Sequence, residues 1–209
     1  KRQAADCLGY TDNAYDALLD LFEPGITVAQ LRPVFQRLRE GTIRIVNAVS
    51  NVMQPETGVL YKGYDKTRQV EFATAICKRL GFDSNHGRID MSVHPFCTSF
   101  AQTDVRLTTR VFDNDIRSCL FGLIHETGHG MYEQGIAPSL ARTFASDGAS
   151  MGIHESQSLF WENIVARSEE FWQWALPMMK DYFPEQLSGV SSFDMYKAIN
   201  TVEPSLIRI

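Results

Sequence analysis

One stretch, Ile124-His125-Glu126-Thr127-Gly128-His129-Gly130, predicts the central helix of this protein. On an α-helix, side chains four residues apart project from one face, so His125 and His129 can share a metal ion. The glutamate that follows the first histidine can then act as a general base on a metal-bound water. The alternative interpretation is a surface helix with two polar histidines, and the rest of the chain has to distinguish the two.

The composition restricts the class of protein. The chain has 209 residues, 44% of them hydrophobic, which is enough for one well-buried core or at most two small domains. The net charge is -5, and no basic stripe with interleaved aromatics is present, so nucleic acid is not an expected partner. No apolar run approaches membrane-spanning length, so no membrane association is expected. The four cysteines are scattered, and the first residues resemble no export signal, which favours free thiols in the cytoplasm.

Helical periodicity dominates residues 1–85. Three helices are predicted there, over residues 3–22, 27–49 and 65–80. Thr27 and Gln30 have the spacing of a capping box at the start of the second helix. Gly81 supplies a C-terminal stop for the third.

The pattern changes at residues 86–112. Polar and apolar residues alternate over 88–93 and 103–108, which predicts a small antiparallel sheet. Helices that carry the metal motif follow over residues 115–170, with Asn114 or Asp115 as the first cap. Shorter helical pieces are expected over 171–209. Both ends of the sequence interrupt a helical or apolar pattern, so we expect a segment of a longer protein.

A catalytic zinc site requires a third protein ligand and an open position for water. The extended metzincin motif has glycine three and histidine six residues after the second histidine, but those positions are Tyr132 and Gly135 here. Zincins that take a glutamate nineteen residues after the second histidine would need it at position 148, which is Gly148. Neither of these two patterns fits.

The nearest suitable downstream group is Glu155, next to His154 on the helix after the motif helix. A carboxylate on an adjacent antiparallel helix can reach the two histidines and complete a site with two histidines and one glutamate. Asp147 and Glu162 are rival candidates. A solvated surface carboxylate is the simpler interpretation of Glu155.

Further motifs connect these residues to a known family. The motifs are His94-Pro95-Phe96, Asp104-Val105-Arg106-Leu107-Thr108, His125-Glu126-Thr127-Gly128-His129, His154-Glu155-Ser156-Gln157 and the incomplete Ile207-Arg208. In kind and order they resemble those of the carboxypeptidase Taq family of metallocarboxypeptidases. The similarity extends over essentially the whole chain.

The resemblance implies a fold and a metal site. The expected fold is mainly α, a zincin-like helical metallopeptidase core with one small antiparallel β-sheet, and residues 1–209 form a single catalytic-core segment. His125, His129 and Glu155 would bind one Zn²⁺ per chain, with Co²⁺ or Mn²⁺ as alternatives because site affinity discriminates poorly among these metals. Glu126 would be the general base.

The resemblance also implies a reaction and a partner. The expected substrates are peptides with a free C-terminus, and the expected reaction releases C-terminal amino acids by Glu126-assisted attack of metal-bound water. A homodimer is expected on the same basis. Arg208 is the first candidate for binding the substrate carboxylate and Arg106 the second, because an arginine fork matches a carboxylate. His94 and His154 are further candidates for the substrate side of the site, although each can equally support the fold or orient a ligand.

Three alternative functions remain at this stage. The same site could belong to an endopeptidase or oligopeptidase. The segment could also be a truncated, non-catalytic metal-binding helical domain. An oxidative di-metal bundle is disfavoured, because it needs a second Glu-x-x-His and the residues three after Glu155 and Glu162 are Ser158 and Val165.

Overall fold

The structure, a computed structural model, describes residues 1–202, which contain eight α-helices and three β-strands. The helices are α1 (Arg2–Leu8), α2 (Ala14–Leu19), α3 (Val28–Val49), α4 (Lys66–Leu80), α5 (Ile116–Gln134), α6 (Met151–Leu159), α7 (Glu169–Tyr182) and α8 (Ser192–Ile199). The strands are β1 (Gly87–Met91), β2 (Cys97–Ala101) and β3 (Asp104–Thr109). A π-helical segment, Phe160–Val165, directly follows α6. The mainly helical fold with one small sheet is therefore confirmed.

These elements form two compact units. The first unit contains Lys1–Gln54 and Ser150–Ile153, and the second contains Pro55–Ala149 and the chain from His154 onward. No helix among residues 1–202 is long and apolar enough to cross a membrane.

In the first unit, the prediction of a single helix over residues 3–22 is wrong. Residues 3–22 form two helices, because Gly9 leaves the right-handed helical region at φ 84° and ends α1. Asn13 then begins α2, its side chain accepting a hydrogen bond from the Tyr15 backbone N–H at 2.9 Å. Periodicity alone continues across such a break, since both helices present apolar residues at similar spacing.

The capping box of α3 is confirmed. The Gln30 backbone N–H donates to Thr27 Oγ1 at 3.3 Å, and the Thr27 backbone N–H donates to Gln30 Oε1 at 2.9 Å. Two N-terminal donors that a helix cannot satisfy internally are thus paired.

In the second unit, α5 is the central element. It contacts α4, both β2 and β3, and the π-helical segment. Its buried apolar residues include Leu120, Leu123 and Ile124, each at most 1% exposed. Large side chains of α4 and α7 belong to the same core, among them Phe72 and Trp172, which are fully buried. The helix that carries the metal motif is therefore held from several directions.

The sheet differs from its prediction in strand direction. Its strand order is β1-β3-β2, with β2 antiparallel to β3 but β1 parallel to β3. The predicted antiparallel sheet is therefore wrong for the β1–β3 pair, since alternation identifies strands without identifying their neighbours. The segment that joins β1 to β2 crosses β3 and is tied to it: Ser92 Oγ lies 2.7 Å from Thr108 Oγ1, and the Phe96 N–H donates to the same oxygen at 2.9 Å.

Replacing the cap of α4 tests how much this helix contributes to the unit. The Asp65 carboxylate accepts the Arg68 backbone N–H at 2.9 Å. Asp65→Ala should lower the free energy of unfolding by about 1 kcal/mol, because that donor loses its partner. Asp65→Asn keeps an accepting oxygen and should unfold at nearly the original urea concentration. Equal losses in the two variants, measured by circular dichroism, would contradict a capping role.

Candidate metal centre

The motif helix begins where an aspartate caps it. Of the two predicted caps, Asp115 is the one used, because its carboxylate accepts the Arg117 backbone N–H at 2.9 Å. The helix then continues without interruption through His125 and His129, which lie one turn apart on its partly exposed side. Local capping and apolar burial thus fix the direction in which both imidazoles project.

A glutamate from α6 meets the two imidazoles. Glu155 Oε2 lies 3.3 Å from His129 Nε2 and 3.8 Å from His125 Nε2. One ligand atom from each of these residues lies within 4.8 Å of the others, and no other such group of His, Cys, Asp or Glu occurs among residues 1–202. Of the two rival ligands, neither Asp147 nor Glu162 belongs to the group.

A glycine makes this approach of α6 possible. A Cβ atom added at Gly128 would lie 2.6 Å from Ser158 Cα and 2.7 Å from the Gln157 carbonyl oxygen. Both distances are far shorter than a van der Waals contact. The side chain of Ser158, which is fully buried, bonds back to the Glu155 carbonyl at 2.7 Å. The residue between the two histidine positions is therefore small because the backbone of the next helix passes over it.

Glu162 supports one imidazole from the opposite side. Its Oε2 lies 2.8 Å from His125 Nδ1. Glu162 belongs to the π-helical segment and follows Glu155 by seven residues, about two turns, so the two carboxylates face α5 together. It thus contacts the ring nitrogen that does not face Glu155.

The second imidazole is held by a chain of two hydrogen bonds. His129 Nδ1 lies 2.7 Å from His154 Nδ1, and His154 Nε2 lies 2.7 Å from Glu133 Oε1. A carboxylate only accepts, so His154 donates its Nε2–H to Glu133 and accepts the Nδ1–H of His129. Both His125 and His129 then carry the proton on Nδ1, which leaves each Nε2 lone pair directed toward Glu155.

These donors fit a divalent cation. Neutral imidazole nitrogens and a carboxylate oxygen are the usual ligands of a catalytic zinc. Ligands about 2.0–2.1 Å from a tetrahedral zinc are separated by about 3.4 Å from one another, close to the two distances from Glu155 Oε2 to the imidazoles.

Glu126 lies beside the group and is mostly buried. Burial raises the pKa of its carboxylate to about 7; His125 acts in the opposite direction and Glu155 adds to the rise. The Cys97 backbone N–H, at the start of β2, acts to lower the same pKa. A carboxylate with this pKa can both accept and release a proton near neutral pH.

The electrostatic surroundings of the two imidazoles differ. Burial acts to lower the pKa of His125, but the hydrogen bond with Glu162 and the charge of Glu126 outweigh it and raise the pKa. Burial lowers the pKa of His129, and the neighbouring rings of His125 and His154 lower it further. The lowered pKa keeps His129 in the neutral form that a metal ligand requires.

A cleft of about 830 Å³ opens next to Glu126 and His125. His94 and Pro95 line it from the segment between β1 and β2, and Phe121 and Gly122 line it from α5. Three arginines also line it, Arg110, Arg117 and Arg167. The cleft therefore combines a proton acceptor with cationic side chains.

Comparisons with known proteins identify the family of this chain. The family model described as carboxypeptidase Taq (M32) metallopeptidase matches residues 1–209. The chain belongs to this family. Carboxypeptidase 1 of Bacillus subtilis (strain 168) is 45% identical over 202 residues, which cover 96% of this chain and 40% of that protein. Thermostable carboxypeptidase 1 of Thermus thermophilus is 40% identical, with 93% and 38% covered.

Solved structures of the carboxypeptidase Taq family have the same fold over this region. The M32 carboxypeptidase from Deinococcus radiodurans R1 is 39% identical, with a TM-score of 0.96 over 99% of this chain and 42% of that one. A carboxypeptidase structure from Pyrococcus furiosus is 35% identical, with a TM-score of 0.92. The chain spans about two fifths of the length of the relatives it matches.

The candidate substrate residues are dispersed in this family member. His94 lines the cleft, exposed, whereas His154 binds His129 and Glu133 at the centre itself. Arg106 pairs with Asp104 on the sheet, with Nε and Nη2 each 2.9 Å from a carboxylate oxygen, and it is not among the cleft residues. Arg208 lies outside the described residues.

Sequence reasoning missed several residues of the centre and its cleft. Glu133 follows His129 by four residues, a helical spacing that places it on the same face as the metal motif. Glu162, considered only as a rival ligand, follows Glu155 by seven. Arg110 and Arg167 gave no comparable signal, because their position in the cleft depends on the tertiary fold.

Two glycine substitutions test the close approach of α6. Gly128→Ala should lower the free energy of unfolding by about 1–3 kcal/mol, because the added methyl overlaps the α6 backbone. Gly41→Ala is the matched control within α3, where an added Cβ meets nothing within 4 Å. It should raise stability by up to about 1 kcal/mol through helix propensity alone. A gain in both variants, measured by urea unfolding, would show that α6 is not held at this distance.

Proposed function

We propose that this chain carries the catalytic centre of a metal-dependent carboxypeptidase that releases C-terminal amino acids from peptides. The observation that carries the proposal is the convergence of His125 Nε2, His129 Nε2 and a Glu155 oxygen beside Glu126. Membership of the carboxypeptidase Taq family supports it, as do the relatives named carboxypeptidases.

One divalent cation per chain would be bound by His125, His129 and Glu155. Zn²⁺ suits two imidazoles and a carboxylate, and Co²⁺ or Mn²⁺ are alternatives that the same donors accept. The hydrogen bonds to Glu162 and His154 favour this assignment, because each orients the Nε2 lone pair of one imidazole toward Glu155.

Glu126 would act as the general base and then as the acid. When bound, the cation supplies Lewis acidity that polarises a carbonyl and lowers the pKa of water. The Glu126 carboxylate accepts a proton from the attacking water and delivers it to the leaving amine. The pKa of about 7 of that carboxylate suits both transfers.

Two further features are part of the proposal. The family resemblance supports a homodimer. The cysteines support a cytoplasmic location, since all four are free thiols.

Glu126→Gln is the direct test of the function. The variant should release C-terminal amino acids from an unblocked peptide about 10²–10⁴-fold more slowly, because the amide cannot accept the proton. Its metal content should remain one ion per chain, since Glu126 is not a proposed ligand. Release is measured by mass spectrometry and metal by elemental analysis.

A blocked substrate separates the two peptidase classes. The same peptide with a C-terminal amide should be cleaved poorly by the unmodified, metal-loaded protein. Equal cleavage of the amide and the free acid would instead identify an endopeptidase. Bound metal with no turnover of either peptide would contradict the catalytic proposal.

The hydrogen-bond chain from His129 predicts a change in metal affinity. Glu133→Gln keeps the shape of the side chain but removes the charge that holds the His154 proton, so the affinity should fall about tenfold. Glu170→Gln, an exposed change on α7, is the matched control and should leave the affinity unchanged. A chelator competition titration measures both. Equal affinities would exclude a contribution of Glu133 to the centre.

A further inference from the structure

We propose that Arg110 binds the α-carboxylate of the substrate's C-terminal residue. The proposal rests on the carboxypeptidase function proposed above and assigns the group that recognises a chain end. It replaces Arg106 as a candidate, because the two arginines, four residues apart in sequence, differ in surroundings.

The backbone of Arg110 is fixed close to the metal centre. Arg110 directly follows β3, whose last residue, Thr109, is fully buried and donates its hydroxyl to the Cys119 carbonyl of α5 at 3.2 Å. Thr109 Oγ1 also lies 3.8 Å from the position of a Cβ on Gly122. Gly122 precedes Glu126 by four residues, about 6 Å along the helix axis. The half-buried Arg110 therefore lines the same cleft as the proposed base.

Ion pairing distinguishes Arg110 from the other two cleft arginines. Arg117 Nη2 lies 2.9 Å from Asp115 Oδ2 and donates to the Tyr61 hydroxyl at 2.6 Å.

Arg167 also has partners within the protein. It donates to the Ile199 carbonyl at 3.0 Å and lies 3.7 Å from a Glu162 oxygen.

Arg110 has no carboxylate partner within residues 1–202, and its guanidinium is 5.3 Å from the centre of the Phe112 ring. Among the described arginines that line the cleft, it is thus the one without a carboxylate partner.

The chemistry of this pocket matches a chain end. A guanidinium binds a carboxylate through two parallel hydrogen bonds, which a neutral internal amide cannot reproduce. The Phe112 ring lies against the guanidinium and limits its orientation, so less conformational freedom is lost on binding. Asp115 and Glu162, the other acids that line the cleft, are each paired with an arginine other than Arg110.

Arg106 lacks these properties. Its Nε and Nη2 both donate to Asp104, and its guanidinium lies 4.9 Å from the centre of the Phe100 ring on the sheet. A substrate carboxylate would have to displace Asp104 to bind through that edge of the guanidinium. Its presence in the Asp-x-Arg-x-Thr motif is accounted for by that pair.

The test measures binding without turnover. In the metal-loaded Glu126→Gln background, calorimetry gives the Kd of one peptide as the free acid and as the C-terminal amide. Adding Arg110→Gln should raise the Kd of the free acid about tenfold to a hundredfold, the range for a lost hydrogen bond to a charged group. The Kd of the amide should not change. Arg110→Lys, which keeps the charge but not the fork, should give an intermediate value.

A control and three outcomes decide the proposal. Arg88→Gln removes a guanidinium that pairs with Asp90 on β1 and should leave both Kd values unchanged. If Arg110→Gln weakens the acid and the amide equally, Arg110 supports the cleft and the proposal is wrong.

If the background protein prefers the acid and Arg110→Gln leaves that preference intact, the carboxylate binds elsewhere, although the carboxypeptidase function stands. If the background protein shows no preference for the acid, the carboxypeptidase function itself fails. If Arg110→Gln lowers the melting temperature, Arg110→Lys is used instead. In that variant, a ratio of the free-acid Kd to the amide Kd that equals the ratio in the background protein would contradict the proposal.

Discussion

The contact between Gly128 and the backbone of α6 determines the geometry of the candidate metal centre. Two histidines on one helix supply only two ligands, and the third has to come from a separate element at a fixed distance. The Gln157 carbonyl and Ser158 Cα approach so closely that no side chain fits between the helices. Glu155 reaches both imidazoles from that position. Even alanine at position 128 would have to move the helix that delivers the third ligand.

Around this contact, hydrogen bonds fix the protonation of the imidazoles. Glu162 and the His154–Glu133 pair occupy the Nδ1 atoms, and this leaves the Nε2 atoms for a cation. The supporting carboxylates lie on both sides of the contact, Glu133 on α5 and Glu162 on the π-helical segment that follows α6. The orientation of the imidazoles therefore depends on the same helix packing as the position of Glu155. Glu126 differs from these carboxylates because its burial raises its pKa to about 7.

Much of this could be predicted from the sequence, because the signals are local. The motif helix, the Asp115 cap and the capping box of α3 each depend on residues within one or two turns. The ligand group could be named only with the help of the family resemblance, since the residues alone left Asp147 and Glu162 as rivals. The strand order, the π-helical segment and the place of Arg110 could not be predicted, because each depends on contacts between residues distant in sequence. Arg106 illustrates the limit: its motif marked it as important, but its neighbour Asp104 already occupies its guanidinium.

The order of the three strands also decides what forms one wall of the cleft. If β1, β2 and β3 followed one another as neighbours, His94 and Pro95 would lie in a hairpin turn at the end of the sheet, away from α5. Because β3 lies between the other two, the connection has to pass over it, and Thr108 anchors this crossing at both Ser92 and Phe96. The crossing brings Pro95 to within van der Waals distance of the Gly122 position on α5. The connection between β1 and β2 thus forms one wall of the cleft next to Glu126.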